Sequence, residues 1–139
     1  MKYHETRIRV RFNEVDSYRV AWHGHYVAWM EMGRNDLAGM FELDADQVAE
    51  AGFMAPVVSL EMKYKRPSRF NEELRVMTSV RRTETATLEF LCRIVGPDDV
   101  ERATGRAVLA LIDRHGVLQY SAPPLIMERI GRMLAYLEV

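Results

Sequence analysis

Two groups of residues near the start of the chain have the types and spacing needed to attack a carbonyl group. One is a carboxylate, Asp16, and the other is the segment His23-Gly24-His25, which begins a helical pattern. The first N–H groups of a helix lack acceptors within the helix and carry the positive end of its dipole, so they can stabilise an oxyanion. A nearby carboxylate can attack a carbonyl carbon or deprotonate a water that does. Together they suffice for hydrolysis when the leaving group is as good as a thiolate. On the residues alone, however, an aspartate in a loop before a helix is more often a cap or turn residue.

Hydrophobic patterning predicts the elements that position these residues. The segment Glu5 to Phe12 alternates apolar and basic side chains, which indicates a half-buried strand ahead of Asp16. From Gly24 to Phe41 the apolar residues recur at spacings of three and four, which predicts a long helix. Gly33 falls on the apolar face of that helix and would let a strand approach closely.

The rest of the chain is predicted to form strands and two more helices. Asp44 is expected to cap a short helix from Ala45 to Ala51. Apolar alternation then returns in the segments 58–65, 74–81, 88–94 and 100–113, and helical spacing returns from Leu125 to Leu137. Because the strands are joined by short turns, the sheet should be antiparallel and should cover the long helix. The predicted fold class is α+β, in one domain over residues 1–139.

Composition excludes several classes of protein. The chain has 139 residues, of which 48% are apolar and 28% charged, with a net charge of −1. This charge argues against nucleic-acid binding through a basic face. A single cysteine, Cys92, lies on the apolar side of a predicted strand and reads as a small buried hydrophobe. No signal sequence and no apolar run of membrane-spanning length is evident, so we expect a cytoplasmic protein without a membrane span.

The segment from Asp16 to Arg34 resembles the signature of hotdog-fold thioesterases of the 4-hydroxybenzoyl-CoA thioesterase type. That group includes small bacterial acyl-CoA thioesterases associated with the Tol–Pal cell-envelope system. In the family a catalytic aspartate precedes a helix that reads Tyr-x-x-x-x-Glu-x-x-Arg, and Asp16, Tyr26, Glu31 and Arg34 keep those spacings. The segment Tyr64-Lys65-Arg66-Pro67-Ser68-Arg69 and the last predicted strand resemble two further family patches.

The resemblance implies a hotdog fold, in which a curved antiparallel sheet wraps a long central helix. It implies a homodimer joined edge to edge through its sheets, pairing further into a homotetramer, with active sites between subunits. Asp16 is then the general base or nucleophile, and the backbone N–H groups of His23 and Gly24 polarise the thioester carbonyl. No metal and no cofactor is implied, since coenzyme A is part of the substrate.

Other residues are candidates for catalysis or for contact with an acyl-CoA substrate. Glu31 is a second catalytic candidate, although an ion pair with Arg34 or a structural role at the interface is the favoured interpretation. The residues expected to contact substrate are Tyr18, Trp22, Tyr26, Ser59, Lys65, Arg66, Arg69, Arg81 and Arg82. The last five form, with Lys63, the densest basic cluster, which suits either the phosphates of coenzyme A or a solvated sheet face.

Two alternative functions remain open from the sequence. An acyl carrier protein, which is acidic, would dock on the same basic residues, so its thioester is an alternative substrate. A non-catalytic acyl-CoA-binding hotdog domain is the other alternative, against which the carboxylate at Asp16 argues. Many family members carry glycine where this chain has Tyr18 or Arg19, so the catalytic loop is bulkier here.

Overall fold

The computed structural model describes residues 2–139 as a curved sheet around one long helix, with shorter elements at its edges. The strands are β1 (His4–Arg9), β2 (Phe53–Met54), β3 (Val57–Tyr64), β4 (Glu73–Arg81), β5 (Thr87–Val95), β6 (Glu101–Ala110) and β7 (Ile112–Asp113). The helices are α1 (His23–Gly39), α2 (Ala45–Glu50) and α3 (Pro124–Tyr136), and a single 3-10 turn covers Phe12–Glu14. None of these helices is long and apolar enough to cross a bilayer.

The main sheet has the strand order β1-β4-β5-β6-β3, and every pairing is antiparallel. Strands β1 and β3 are therefore its two edges. The short strands β2 and β7 pair with each other in a separate ribbon. This arrangement confirms the predicted antiparallel sheet and places the chain's first strand beside its fourth.

Helix α1 lies across the sheet and packs mainly on β1 and β4. Its buried face includes Trp29, Met30 and Leu37, which are at most 2% exposed. A Cβ atom on Gly33 would come within 2.7 Å of both Val76 and Thr78 of β4, so glycine lets the helix approach that strand. The predicted close approach at Gly33 is confirmed.

Strand β3 differs from the sequence prediction in its exposure. Its alternation predicted one buried face, but Val58, Leu60 and Tyr64 are 61%, 47% and 48% exposed in the single chain. The reason is topological, because α1 packs mainly on β1, β4 and β5 and leaves the face of the edge strand β3 largely uncovered. The single strand predicted over 100–113 was also wrong in extent, since the ladder ends at Ala110 and residues 112–113 pair with β2 instead.

The tight packing at Gly33 leads to a stability prediction. We expect Gly33→Ala to lower the free energy of unfolding by about 1–3 kcal/mol, because the added methyl must push β4 away. The matched control is Gly131→Ala in α3, where a Cβ meets no atom within 4 Å and should stabilise the helix by about 0.5–1 kcal/mol. Urea denaturation of both variants at one chain concentration measures the difference. Equal effects at the two glycines would show that the helix–sheet contact is not tight.

Candidate active site

The loop that carries Asp16 is closed by backbone hydrogen bonds. Val15 and Ala21 form an isolated antiparallel bridge, and within it the Asp16 N–H donates to the Val20 carbonyl at 3.0 Å. Arg19 has φ of +65°, a left-handed conformation that glycine adopts without steric cost. Arg19 therefore needs the loop's hydrogen bonds to hold it in this conformation.

The Asp16 side chain is half buried, and only one of its two carboxylate oxygens accepts a hydrogen bond. Its Oδ1 accepts a hydrogen bond from the Tyr18 backbone N–H at 2.8 Å, which fixes the side chain in an Asx turn. Among residues 2–139, no donor reaches its Oδ2. One oxygen is thus held in place while the other is free to take a proton or to attack carbon. Tyr18 itself is 84% exposed and supplies its backbone rather than its ring to this turn.

A buried carboxylate, Glu14, lies at the start of the same loop and was not singled out from the sequence. It is 3% exposed, and its oxygens accept from the Arg11 backbone N–H at 2.7 Å and from the Trp29 indole N–H at 3.0 Å. Burial alone would raise the pKa of Glu14, but these donors and the Arg11 guanidinium bring the pKa below its ordinary value. No sequence pattern separates a buried glutamate from a solvated one at this position.

The N-terminus of α1 lies directly after the loop. Trp22 is the N-cap residue and gives no side-chain cap, and within the described part of the chain the N–H groups of His23 and Gly24 have no acceptor. The Trp22 indole lies over Gly24, since a Cβ there would meet its ring at 2.1 Å. Glycine at this position therefore leaves room for the indole against the helix end, and the free N–H groups are available to an oxyanion.

Aromatic side chains form the wall beside that helix end. The Tyr64 hydroxyl donates to the His23 carbonyl at 2.8 Å, and Tyr26 donates to Ser68 at 2.9 Å. Burial, with Tyr26 as a lesser cause, raises the pKa of the Tyr64 phenol, which therefore stays a neutral donor. A shallow depression of about 300 Å³ is lined by Val20, Ala21, His23, Tyr26, Tyr64, Lys65, Arg66 and Pro67. The structure thus brings His23, Tyr26, Lys65 and Arg66 together.

The depression continues into an open groove lined by basic residues. Arg66, Arg69 and Arg102 line a space of about 450 Å³ together with Pro67, Glu72, Asp98 and Val100. Arg102 is neutralised by Glu72 at 3.0 Å and Asp98 at 3.0 Å, and Lys65 is paired with Glu101. Among residues 2–139 no carboxylate forms an ion pair with Arg66 or Arg69, so these two can meet an anion.

The predicted basic cluster is corrected by the structure, because Arg81 and Arg82 lie elsewhere. Arg81 is the last residue of β4 and Arg82 follows it, so both lie at the end of β4 that is far from the 65–69 segment. There Arg81 pairs with Glu89 at 3.4 Å, and Arg82 donates to the Val139 carbonyl at 2.9 Å. Strand alternation does not reveal which end of a strand faces the site. Ser59 is exposed on the outer edge strand β3, away from the loop within one chain.

Two residues weighed in the sequence have the structural roles expected of them. Glu31 forms an ion pair with Arg34 one turn further along α1, which confirms that interpretation of its carboxylate. Cys92 is 3% exposed, and burial raises the pKa of its thiol to about 12, which confirms that it is a buried hydrophobe. Neither residue lines the depression at the helix end.

A large apolar cavity lies at the other half of α1 and was not predicted. It has a volume of about 460 Å³ and is bounded by α1, α2, the β2–β7 ribbon and the sheet, with Arg34, Asn35, Met54 and Pro56 among its lining residues. Its walls come from segments far apart in sequence, so no local pattern could reveal it. Met54 and Pro56 precede β3, which places this cavity at the opposite end of that strand from Tyr64.

A five-stranded antiparallel sheet wrapped around one long helix is the hotdog fold. Among solved structures, the chain superimposes on a DHNA-CoA thioesterase from Staphylococcus aureus with a TM-score of 0.86 and 24% identity, covering 97% of this chain and 93% of that one. A hypothetical protein from Thermus thermophilus superimposes with a TM-score of 0.81 and 26% identity, covering 96% and 98%.

The family follows from sequence as well as fold. Residues 10–130 match the family described as the Thioesterase-like superfamily, and the chain belongs to it. A Synechocystis relative named "Putative esterase sll0410" is 28% identical over 95% of this chain and 81% of its own length. "Putative acyl-CoA thioesterase YneP" from Bacillus subtilis is 32% identical over 51% of each chain. The protein is thus a hotdog-fold thioester hydrolase.

Proposed function

We propose that this thioester hydrolase acts on acyl-CoA, with Asp16 as its catalytic carboxylate and the start of α1 as its oxyanion hole. Two features together carry the proposal. Asp16 has one carboxylate oxygen without a hydrogen-bond donor, and the N–H groups of His23 and Gly24 at the start of α1 have no acceptor. The Val15–Ala21 bridge returns the loop to the helix N-cap, so both groups lie at one end of the molecule. In support, the name of the YneP relative specifies acyl-CoA as its substrate.

Hydrolysis at this site needs one proton acceptor and one oxyanion stabiliser. Asp16 takes a proton from water as the water oxygen bonds to the thioester carbon, and the carbonyl oxygen becomes an oxyanion bound by His23 and Gly24. The tetrahedral intermediate then collapses, the C–S bond breaks, and coenzyme A leaves as a thiolate. If Asp16 attacks directly, an acyl–aspartyl anhydride forms, and water hydrolyses it in a second step.

The proposal includes a homodimer that joins two sheets through β3. Its exposed apolar residues and free edge suit pairing with a second copy, since an unpaired edge presents unsatisfied backbone groups. In an antiparallel self-pairing, the Val57 end of one β3 lies beside the Tyr64 end of the other. The partner's apolar cavity, which opens near the start of its β3, then adjoins the His23 helix end and can receive the acyl group.

Coenzyme A would extend from the site along the groove that contains Arg66 and Arg69. Their guanidinium groups are free of carboxylates in the described chain and can bind phosphate oxygens. In this proposal the nucleotide end of coenzyme A binds beside residues 66–69. Arg81 and Arg82, which contact Glu89 and Val139, are not part of the substrate site.

A substrate panel with detection of released thiol tests the function. We expect hydrolysis of at least one acyl-CoA, among short, medium, long and aromatic acyl groups, with kcat/KM of about 10⁴ M⁻¹s⁻¹ or more. Each acyl group is also supplied on an acyl carrier protein. If only the acyl carrier protein thioester is hydrolysed, and added salt lowers that activity, then the carrier thioester rather than acyl-CoA is the substrate. Binding of acyl-CoA without release of thiol would overturn the catalytic role of Asp16.

Single-turnover hydrolysis in oxygen-labelled water distinguishes general-base catalysis from attack by Asp16 that is followed by hydrolysis at the aspartyl carbon. General-base catalysis places the label in the product carboxylate in the first turnover. Attack by Asp16 leaves the first product unlabelled when water hydrolyses the anhydride at the aspartyl carbon, and the label then appears on Asp16. Mass analysis of the Asp16 peptide after that turnover reads the outcome directly.

A further inference from the structure

We propose that Glu14 is a positioning residue that holds Asp16 in register with the start of α1. The inference rests on the proposed role of Asp16 and adds a residue that acts through it. Glu14 is 3% exposed and both of its carboxylate oxygens accept hydrogen bonds from the protein, so it does not reach substrate and is not a catalytic residue. Its contacts connect the loop that carries Asp16 to helix α1, and the proposed hydrolysis depends on the relative position of these two elements.

The side chain of Glu14 bridges the end of the first strand region and the middle of α1. Oε1 accepts from the Arg11 backbone N–H at 2.7 Å, and Oε2 accepts from the Trp29 indole N–H at 3.0 Å. The Arg11 guanidinium, 3.3 Å from Oε1, adds a charge on the solvent side. Trp29 is 2% exposed, so this bond fixes the loop to a part of the helix that cannot move separately.

The backbone of Glu14 makes a second connection on the other side of the loop. Its carbonyl accepts from the Trp22 N–H at 2.9 Å, and Trp22 is the N-cap of α1. Asp16 therefore lies within a loop that Glu14 ties to α1 twice, once at the N-cap and once at Trp29. A loop with a left-handed arginine would otherwise be free to relax.

Glu14 must be an ionised carboxylate for this geometry. Its two oxygens face N–H donors from Arg11 and Trp29, so both positions require an acceptor. A glutamine has the same shape, but its NH₂ group would face one of those donors and leave both N–H groups unbonded there. Glu14→Gln is thus a minimal change that breaks one connection without altering side-chain volume.

We expect Glu14→Gln to lower kcat at least about 10-fold with KM within about 2-fold of wild type, because small displacements of a catalytic group are costly. The matched control is Asp36→Asn. Asp36 also links α1 to the first strand, accepting from His4 at 2.7 Å and Thr6 at 3.0 Å, but it lies far along the helix from Asp16. The control should keep wild-type kcat. An unchanged kcat in folded Glu14→Gln would overturn the inference.

A double-mutant comparison separates positioning from a loss of folded enzyme. In an Asp16→Asn background, Glu14→Gln should change the residual rate less than about 2-fold, because the group it positions is already gone. An equal loss in both backgrounds would overturn the inference. If Glu14→Gln does not fold, Trp29→Phe removes one donor and should show the same dependence on Asp16. Failure of Asp16→Asn itself to lower kcat would instead count against the proposed function.

Discussion

Replacing Asp16 with asparagine is expected to lower kcat at least about 10²-fold while the chain folds normally. Asparagine keeps the side-chain shape, and its amide oxygen can still accept from the Tyr18 N–H. It cannot take a proton from water at neutral pH, and it is a far poorer nucleophile than a carboxylate. The loop is closed mainly by backbone bonds, such as Asp16 N–H to Val20 at 3.0 Å, so its shape should persist.

Steady-state kinetics with the best acyl-CoA of the panel measure the Asp16 effect. Asp113→Asn is the matched control, because Asp113 also accepts from loop backbone N–H groups, of His115 at 2.8 Å and Val117 at 2.9 Å. Its carboxylate is held in the turn after β7 rather than before the start of α1, so its loss should leave kcat unchanged. Hydrolysis by Asp16→Asn at close to the wild-type rate, across several acyl-CoA substrates, would remove Asp16 from the mechanism.

The second large effect is expected at Leu60, on the exposed edge strand. We expect Leu60→Glu to weaken the homodimer by at least about 10²-fold in Kd, because each dimer would bury two carboxylates without partners. Leu60 is 47% exposed in the single chain, so the substitution should change the fold of one chain little. Activity should fall with the dimer fraction, since in the proposed dimer the apolar cavity adjoining each His23 belongs to the partner.

Sedimentation over a range of chain concentrations, together with kcat/KM, tests the dimer prediction. Leu125→Glu is the control, because Leu125 at the start of α3 is 51% exposed and lies outside β3. It should leave both assembly and activity unchanged. A wild-type chain that is monomeric and active at micromolar concentration would contradict the shared site, as would a dimeric, fully active Leu60→Glu variant.

Local patterns in the sequence were sufficient for the three helices and the long strands, but not for the short β2–β7 ribbon or for which strands lie at the edges of the sheet. The long helix was expected from Gly24 to Phe41 and runs from His23 to Gly39, because its apolar stripe is continuous. Alternation could not show that β3 is an edge strand, since exposure there depends on strand order rather than on side-chain type. The same limit applies to the apolar cavity, whose walls meet only after the chain has folded.

The candidate site divides in the same way. Asp16 and His23 are close in sequence and flank the Val15–Ala21 bridge, but the family resemblance rather than their spacing singled them out as catalytic candidates. Arg66 and Arg81 look equivalent in the sequence, as basic residues in or beside strands. In the structure Arg66 lies before the start of β4 and Arg81 lies at its other end. Glu14 carries no sequence signal, because its importance comes from burial and from a bond to Trp29 across the loop. Long-range contacts of this kind depend on tertiary structure.

The open edge of β3 also affects the risk that a chain aggregates before it assembles. A free strand with exposed Val58 and Leu60 can pair with strands of unrelated chains, which is a common start of aggregation. Glu61 and Lys63, joined by a 3.7 Å ion pair, put charges on that strand of the kind that discourage indiscriminate pairing. If assembly covers this edge, resistance to heating will rise with chain concentration, and dilution will set a lower limit on the amount of enzyme that stays native.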